Sequence, residues 1–216
     1  MGLRELKKDQ TRQLVADTAW RLFADRGFDR VTVAEVAREA QVAEATVFNY
    51  FQTKEDLFYF RLEAFGARML DAIRGRPGDE PVLSAFRRYM LASQGLLAEA
   101  SAGDTEALEQ LRSVNRMIAA SLALLARERQ AFGRNADALA TLLADDAGAP
   151  ADDVIARVAA NALMGVHRAL VDHVRDRILA DDAVDQLADD VRDLAERALT
   201  LLENGLAGYA RKPDKA

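Results

Sequence analysis

The chain has 216 residues, half of them apolar, and a net charge of -6 at pH 7. This is enough apolar material for one or two domains with a buried core, and the absence of Cys excludes disulfides and thiol chemistry. Residues 1–54 carry nine Lys and Arg against eight Asp and Glu, so the acidic excess lies downstream and the N-terminal part is compatible with DNA binding.

The N-terminal part of the chain is predicted to form three helices. The first covers residues 5–26 and ends at Gly27, which suits the left-handed conformation common at helix ends; its predicted buried stripe is Leu14, Val15, Ala19, Leu22 and Phe23. Thr32 and Glu35 form a Thr-x-x-Glu capping box for a second, short helix. After a tight turn, the third helix covers residues 44–50.

Downstream, the spacing of apolar residues predicts six further helices. Thr53 is the expected N-cap of the first of them, and the run Gly75-Arg76-Pro77-Gly78 marks the break after it. The six are predicted at residues 54–73, 81–98, 105–116, 119–145, 151–179 and 183–209. The predicted fold is therefore all-α with about nine helices: an N-terminal three-helix domain (1–53) and a larger helical domain (54–216).

The third helix is too short to bury much surface, and Thr46, Asn49 and Tyr50 lie on its polar side. Two short helices joined by a tight turn, with a longer helix on either side, are typical of a helix-turn-helix. In that motif the second short helix enters the major groove of DNA.

Residues 10–57 resemble the DNA-binding domain of the TetR family of transcriptional regulators. The matching motifs are Ala19-x-x-Leu22-Phe23-x-x-x-Gly27-Phe28, Thr32-Val33-x-x-Val36-Ala37 and Thr46-x-Phe48-x-Tyr50-Phe51-x-x-Lys54-Glu55-x-Leu57. The resemblance covers about a quarter of the chain. It implies a homodimer whose paired recognition helices read a palindromic operator, roughly 34 Å apart or a near multiple of that, and whose affinity responds to a small-molecule effector.

The same resemblance implies which residues touch DNA: Thr32, Glu44, Ala45, Thr46, Asn49, Tyr50 and Lys54. Thr32 and Lys54 match positions that hold phosphates in the family, in keeping with the chemistry of hydroxyl and ammonium donors. Asn49 suits the edge of adenine, Ala45 a thymine methyl group, and Glu44 the amino group of cytosine. Phe48, Phe51 and Leu57 are expected in the core.

Three positions depart from the family pattern. Gln41 stands in the turn where Gly is frequent, and a left-handed Gln costs about 1 kcal/mol. Ala43 replaces the usual Ser at the N-cap of the third helix and cannot cap it. Phe48 replaces a frequent Tyr and lacks the hydroxyl that would reach a phosphate.

The resemblance places an effector cavity and the dimer interface in the C-terminal domain. Apolar and aromatic residues interleaved with isolated polar ones are the candidates for the cavity: Phe86, Tyr89, Met90, Gln94, Asn115, Met117, Asn161, Met164 and His167. The Met side chains favour an adaptable wall and a lipophilic or acyl-type effector. The apolar faces of the last two helices, one around Val154–Val166 and one around Val184–Leu202, are the candidates for the dimer interface.

The commonest outcome in such a family is repression, so the predicted function is a ligand-responsive repressor. The alternative is a helical small-molecule-binding protein that has lost DNA binding. An enzyme is not expected, because no catalytic motif, cofactor signature or metal-ligand spacing is present and neither His167 nor His173 follows a Glu at three residues. No segment matches a signal peptide or an apolar run of roughly 18 residues, so we expect a cytoplasmic protein without a membrane partner.

Overall fold

In the computed structural model, residues 3–60, 62, 64–92 and 95–205 are described, and every element of secondary structure among them is an α-helix. The predicted all-α class is confirmed. The helices are α1 (Leu3–Arg26), α2 (Val33–Glu39), α3 (Glu44–Tyr50), α4 (Lys54–Tyr59), α5 (Ala64–Arg74), α6 (Val82–Leu91), α7 (Leu96–Ser101), α8 (Thr105–Ala120), α9 (Leu122–Asp146), α10 (Val154–Leu179) and α11 (Leu187–Asn204).

The described part of the chain has eleven helices rather than the predicted nine, because two predicted helices are each divided. The segment 54–73 contains α4 and α5, separated by a turn in which the Leu62 N–H donates to the Tyr59 carbonyl at 2.8 Å. The segment 81–98 contains α6 and the start of α7, and Gly95 at the N-cap of α7 has φ of +87°. A left-handed backbone of this kind is incompatible with a continuous helix.

The chain divides into two compact units, residues 1–67 with 112–131 and residues 68–111 with 132–216. The predicted domain boundary at 53/54 thus falls inside the first unit. The aromatic ring of Phe58 in α4 explains why, since it lies 5.4 Å from Trp20, 6.3 Å from Phe23 and 5.7 Å from Phe28 between ring centroids. Phe58 is fully buried, so α4 completes the core of the N-terminal helices.

Packing in the second unit brings α7 and α8 against α10 and α11. The buried core residues there are Ala100, Ala107, Leu111, Ile178, Val184 and Leu187. The Ser101 hydroxyl donates to the Val184 carbonyl at 3.0 Å. On α6, the Arg87 guanidinium donates to the carboxylates of Glu196 and Glu203 at 3.3 and 2.8 Å, which ties α6 to α11.

Candidate nucleic-acid interface

The start of α2 is fixed by the predicted capping box. The Thr32 hydroxyl accepts from the Glu35 N–H at 3.2 Å, and the Glu35 carboxylate accepts from the Thr32 N–H at 2.9 Å. The Thr32 hydroxyl also donates to the Glu35 carboxylate at 2.9 Å. The bonds that the carboxylate accepts from the Thr32 N–H and hydroxyl, with the guanidinium of Arg26 at 3.1 Å, hold the pKa of Glu35 below its ordinary value. Thr32 is exposed, but a phosphate has to compete with the Glu35 carboxylate for the proton of its hydroxyl.

The turn between α2 and α3 has the left-handed residue that the family resemblance implies at position 41. Gln41 has φ of +57°, and the Val42 N–H closes the turn on the Ala37 carbonyl at 2.9 Å. Ala43 is the N-cap of α3 and has no side-chain acceptor to offer. The helix nevertheless begins at Glu44, because Val47 is buried beneath it and anchors it to the unit.

The surface of α3 is divided between an anchored side and an outward side. Val47 is buried, Thr46 and Tyr50 are half-buried, and the outward residues are Glu44, Ala45, Phe48 and Asn49. The prediction that Phe48 lies in the core is therefore wrong, since 49% of its surface is exposed. Phe51 and Leu57 are buried as predicted, with exposures of 3% and 1%.

The predicted stripe of α1 differs from the structure at one residue. Val15, Ala19, Leu22 and Phe23 are buried, but Leu14 is 51% exposed. Leu14 lies one residue before the buried Val15 and Ala16, which face the core in its place.

Lys54, predicted to hold a phosphate, already has two partners within the unit. Its ammonium group donates to the carbonyl oxygens of Phe28 and Val31 at 3.0 and 3.1 Å. It also lies 4.1 Å from the centroid of the Phe28 ring, a cation–π contact. Lys54 therefore fastens the start of α4, next to α3, to the turn that precedes α2.

A cleft of about 450 Å³ lies between α3 and the start of α1. It is lined by Glu5, Lys8, Asp9, Arg12, Asn49 and Tyr50. The Arg12 guanidinium also stacks on the ring of Phe60, 4.4 Å from its centroid. The site residues taken from the sequence omitted Lys8 and Arg12, although their spacing of four residues places both on one face of α1.

Among the described residues, side-chain hydrogen bonds join the N-terminal segment to residues 112–131 of the same unit. The Arg127 Nε donates to Asp56 at 3.0 Å, the Tyr59 hydroxyl donates to the Leu124 carbonyl at 3.1 Å, and the Ser121 hydroxyl donates to Asp29 at 2.9 Å. Burial raises the pKa of Asp56, but the bonds from Arg127 and Thr53 outweigh it and hold that pKa below its ordinary value.

The effector candidates are distributed over both units. Asn115 and Met117 are buried in the first unit, and Gln94 lies outside the described residues. The candidates in the second unit are Phe86, Tyr89, Met90, Asn161, Met164 and His167.

Burial and contacts differ among the candidates of the second unit. Phe86 and Met164 are buried. Asn161 is exposed and donates to the Arg157 carbonyl at 2.8 Å. His167 meets the ring of Phe132 edge-on at 5.1 Å between centroids, and burial lowers its pKa to about 4. Its imidazole is therefore neutral at pH 7.

Comparison with known proteins supports the same reading of the N-terminal unit. Residues 15–59 match the family model of bacterial regulatory proteins of the tetR family. The chain is 28% identical over 158 residues to the HTH-type transcriptional regulator TcmR of Streptomyces glaucescens, covering 70% of this chain and 67% of TcmR. Other curated transcriptional regulators match over 22–35% of their own length.

Solved structures share the fold along most of the chain. NalD, the secondary repressor of the MexAB-OprM multidrug efflux pump of Pseudomonas aeruginosa, superposes with a TM-score of 0.56 at 19% identity, covering 89% of this chain and 96% of NalD. SmeT in its complex with triclosan gives a TM-score of 0.53 at 17% identity, covering 96% and 100%. At sequence identities this low, the similarity shows a shared fold and nothing further.

Proposed function

We propose that this chain, a member of the TetR family of transcriptional regulators, is a repressor that binds a palindromic operator as a homodimer and is released by a small lipophilic effector. One observation carries the proposal: α3 is anchored by Val47 and presents Glu44, Ala45 and Asn49 to solvent. A seven-residue helix held outward in this way has the exposed side chains that base readout needs.

The contacts with DNA follow from the chemistry of the exposed groups. Asn49 is suited to the paired acceptor and donor of adenine, Ala45 to a thymine methyl group and Glu44 to the cytosine amino group. The hydroxyls of Thr32, Thr46 and Tyr50 and the remaining N–H of Lys54 are suited to phosphate oxygens. Lys8 and Arg12 line the cleft next to Asn49 and Tyr50 and place two cations at the edge of the same surface, although Glu5 and Asp9 in the same lining balance their charge.

Homodimerisation is supported by an apolar face on α10. Val154, Ile155 and Val158 are 68%, 75% and 60% exposed, and exposed clusters of large apolar residues mark interaction sites. By length and composition α10 also passes for a membrane-spanning helix. A second copy of α10 covers the same face with an equally apolar surface, and a two-fold dimer matches a palindromic operator.

The second unit is the proposed effector-binding part. Phe86, Tyr89, Met90, Met164 and the neutral His167 have the largely apolar chemistry of a lipophilic site. SmeT was solved with triclosan, a small molecule, and its fold is shared along the chain. NalD is described as a repressor, which supports repression as the outcome of operator binding.

Release is proposed to act by a population shift. An effector lowers operator affinity only to the extent that it binds more tightly to the dimer whose α3 helices have the wrong spacing. A 100-fold loss of operator affinity needs about 2.7 kcal/mol of such preference.

The alternative function, a small-molecule-binding protein without DNA binding, is favoured by two observations, the strained Gln41 and the uncapped Ala43. A mobility shift with the DNA upstream of the chain's own gene separates the two. We expect a salt-sensitive shift that Tyr50→Ala and Asn49→Ala abolish without loss of the dimer. Full binding by both variants, or no preference of the wild type for any inverted repeat, contradicts the proposed repressor.

A further inference from the structure

Phe48 occupies the middle of the outward side of α3. At about 100° per residue around a helix axis, Phe48 and Ala45 lie within roughly 60° of each other. Glu44 and Asn49 flank them, and Val47 lies on the opposite, buried side. The centre of the exposed face is therefore apolar, and its polar groups lie at the margins.

The exposed phenyl ring of Phe48 is not explained by packing within its unit. Half of its surface, 49%, faces solvent, whereas Phe23, Phe28, Phe51 and Phe58 are each exposed by 3% or less. Burying a phenyl ring against an apolar partner is favourable in proportion to the area removed from water. The position of the ring on the outward face of α3 indicates that such a partner comes from outside the chain.

Base edges in the major groove carry one apolar group, the C5-methyl group of thymine. A phenyl ring has no donor or acceptor for a phosphate or for the polar atoms of a base edge. We propose that Phe48, with Ala45 beside it, is a specificity-determining residue that packs on the methyl group of one thymine in each operator half-site. This inference rests on the proposed operator binding and names a base that the operator must contain.

The neighbouring residues support readout of a base edge. Asn49 follows Phe48 directly and is exposed, so its amide reaches a base adjacent to that thymine, and adenine is the base that an amide pairs with best. Phe48 thus recognises an apolar group, the thymine methyl, and Asn49 on the same helix face recognises the polar edge of a neighbouring base.

The test uses the full-length protein and a duplex that the wild type selects from a random library. Each thymine of the half-sites is replaced by deoxyuridine, which lacks only the methyl group, and dissociation constants are measured at one salt concentration. We expect one thymine per half-site at which the replacement weakens binding about fourfold, and about 15-fold when both half-sites are changed, as burial of one methyl group predicts.

Phe48→Ala provides the decisive comparison. In this variant the same replacement should change affinity less than 1.5-fold, whereas Phe48→Leu should retain part of the effect. Leu14→Ala, which removes a side chain of similar exposure (51%) from α1, is the matched control and should discriminate thymine from deoxyuridine as the wild type does. Helix content by circular dichroism verifies that the variants fold.

Two results would overturn the inference while leaving operator binding intact: no thymine whose methyl group matters, or a methyl effect that persists in Phe48→Ala. If the wild type selects no sequence at all, the proposed repressor fails together with this inference. The two failures are therefore distinguished by the wild-type selection alone.

Discussion

The ammonium group of Lys54 donates to the carbonyl oxygen of Phe28 at 3.0 Å, across 26 residues of sequence. A second bond, to the carbonyl of Val31, lies at 3.1 Å. Together they satisfy two half-buried acceptors in the turn between α1 and α2 and position the start of α4. One N–H of the ammonium group remains for the proposed phosphate contact.

Lys54→Met is expected to have two separable effects. Leaving the two carbonyls without this donor lowers the free energy of unfolding by about 1–3 kcal/mol, measured by urea denaturation. Losing a phosphate contact flattens the plot of log operator affinity against log salt by about 0.9 for each half-site. Lys7→Met, which removes an exposed ammonium group from α1, is the stability control. An unchanged salt slope would leave Lys54 as a positioning residue only.

Asp56→Asn tests the bond between α4 and α9. Because the pKa of folded Asp56 is lowered, its stabilisation is fully present above the unfolded pKa of about 3.9 and is lost as pH falls through the folded value. At pH 7 the variant should unfold about 1 kcal/mol more easily than the wild type, and the difference should vanish at acidic pH. Asp25→Asn, at an exposed site on α1, should show no such convergence, and a pH-independent difference for Asp56→Asn would contradict the assignment.

Gln41→Gly should stabilise the protein. Glycine adopts a φ of +57° without the clash that a Cβ atom causes, so the free energy of unfolding should rise by about 1 kcal/mol. Thermal denaturation would show an increase in Tm of about 2–4 °C for a chain of this size. Gln10→Gly, within α1, should lower Tm because Gly weakens a helix interior. A lower Tm for Gln41→Gly would mean that the Gln side chain makes a compensating contact.

Ile155→Asp should break the proposed dimer. Ile155 is 75% exposed on α10, so the carboxylate is tolerated in the monomer and costly only where a second copy covers it. Sedimentation should show a monomer, and operator binding should be lost with it. Leu122→Asp is the matched control, since Leu122 is 86% exposed on α9, and it should remain dimeric. A dimeric Ile155→Asp would place the interface elsewhere.

The parts of the fold that depend on local chemistry were predictable. The capping box at Thr32, the N-cap at Thr53 and the bounds of α3 follow from residues within one or two helical turns. The left-handed Gln41 was expected from the family resemblance, since Gly is frequent at that position. The division of the segment 54–73 was missed because no Gly or Pro lies at the break between Tyr59 and Ala64. The division of 81–98 had a signal, Gly95, that the apolar spacing concealed.

The exposure of the candidate site residues was predictable where polarity decides burial, and the prediction failed where it does not. Asn49 and Glu44 are exposed as a helix-turn-helix requires, but an apolar residue type alone placed Phe48 in the core. The bonds from Arg127 to Asp56 and from Tyr59 to Leu124 join residues 71 and 65 positions apart. No local sequence pattern predicts such pairs, so the inclusion of residues 112–131 in the first unit could not be predicted from the sequence.

The inclusion of residues 112–131 in the first unit limits how this chain can be recombined with other domains. A chimera that joins residues 1–67 to the C-terminal domain of another protein would keep the proposed DNA-binding surface of α3. It would lose the hydrogen-bond partners that Asp56, Tyr59 and Asp29 have in residues 112–131. The N-terminal unit is therefore discontinuous in sequence. A functional chimera has to include residues 112–131 together with residues 1–67, or its other domain has to supply equivalents of Ser121, Leu124 and Arg127.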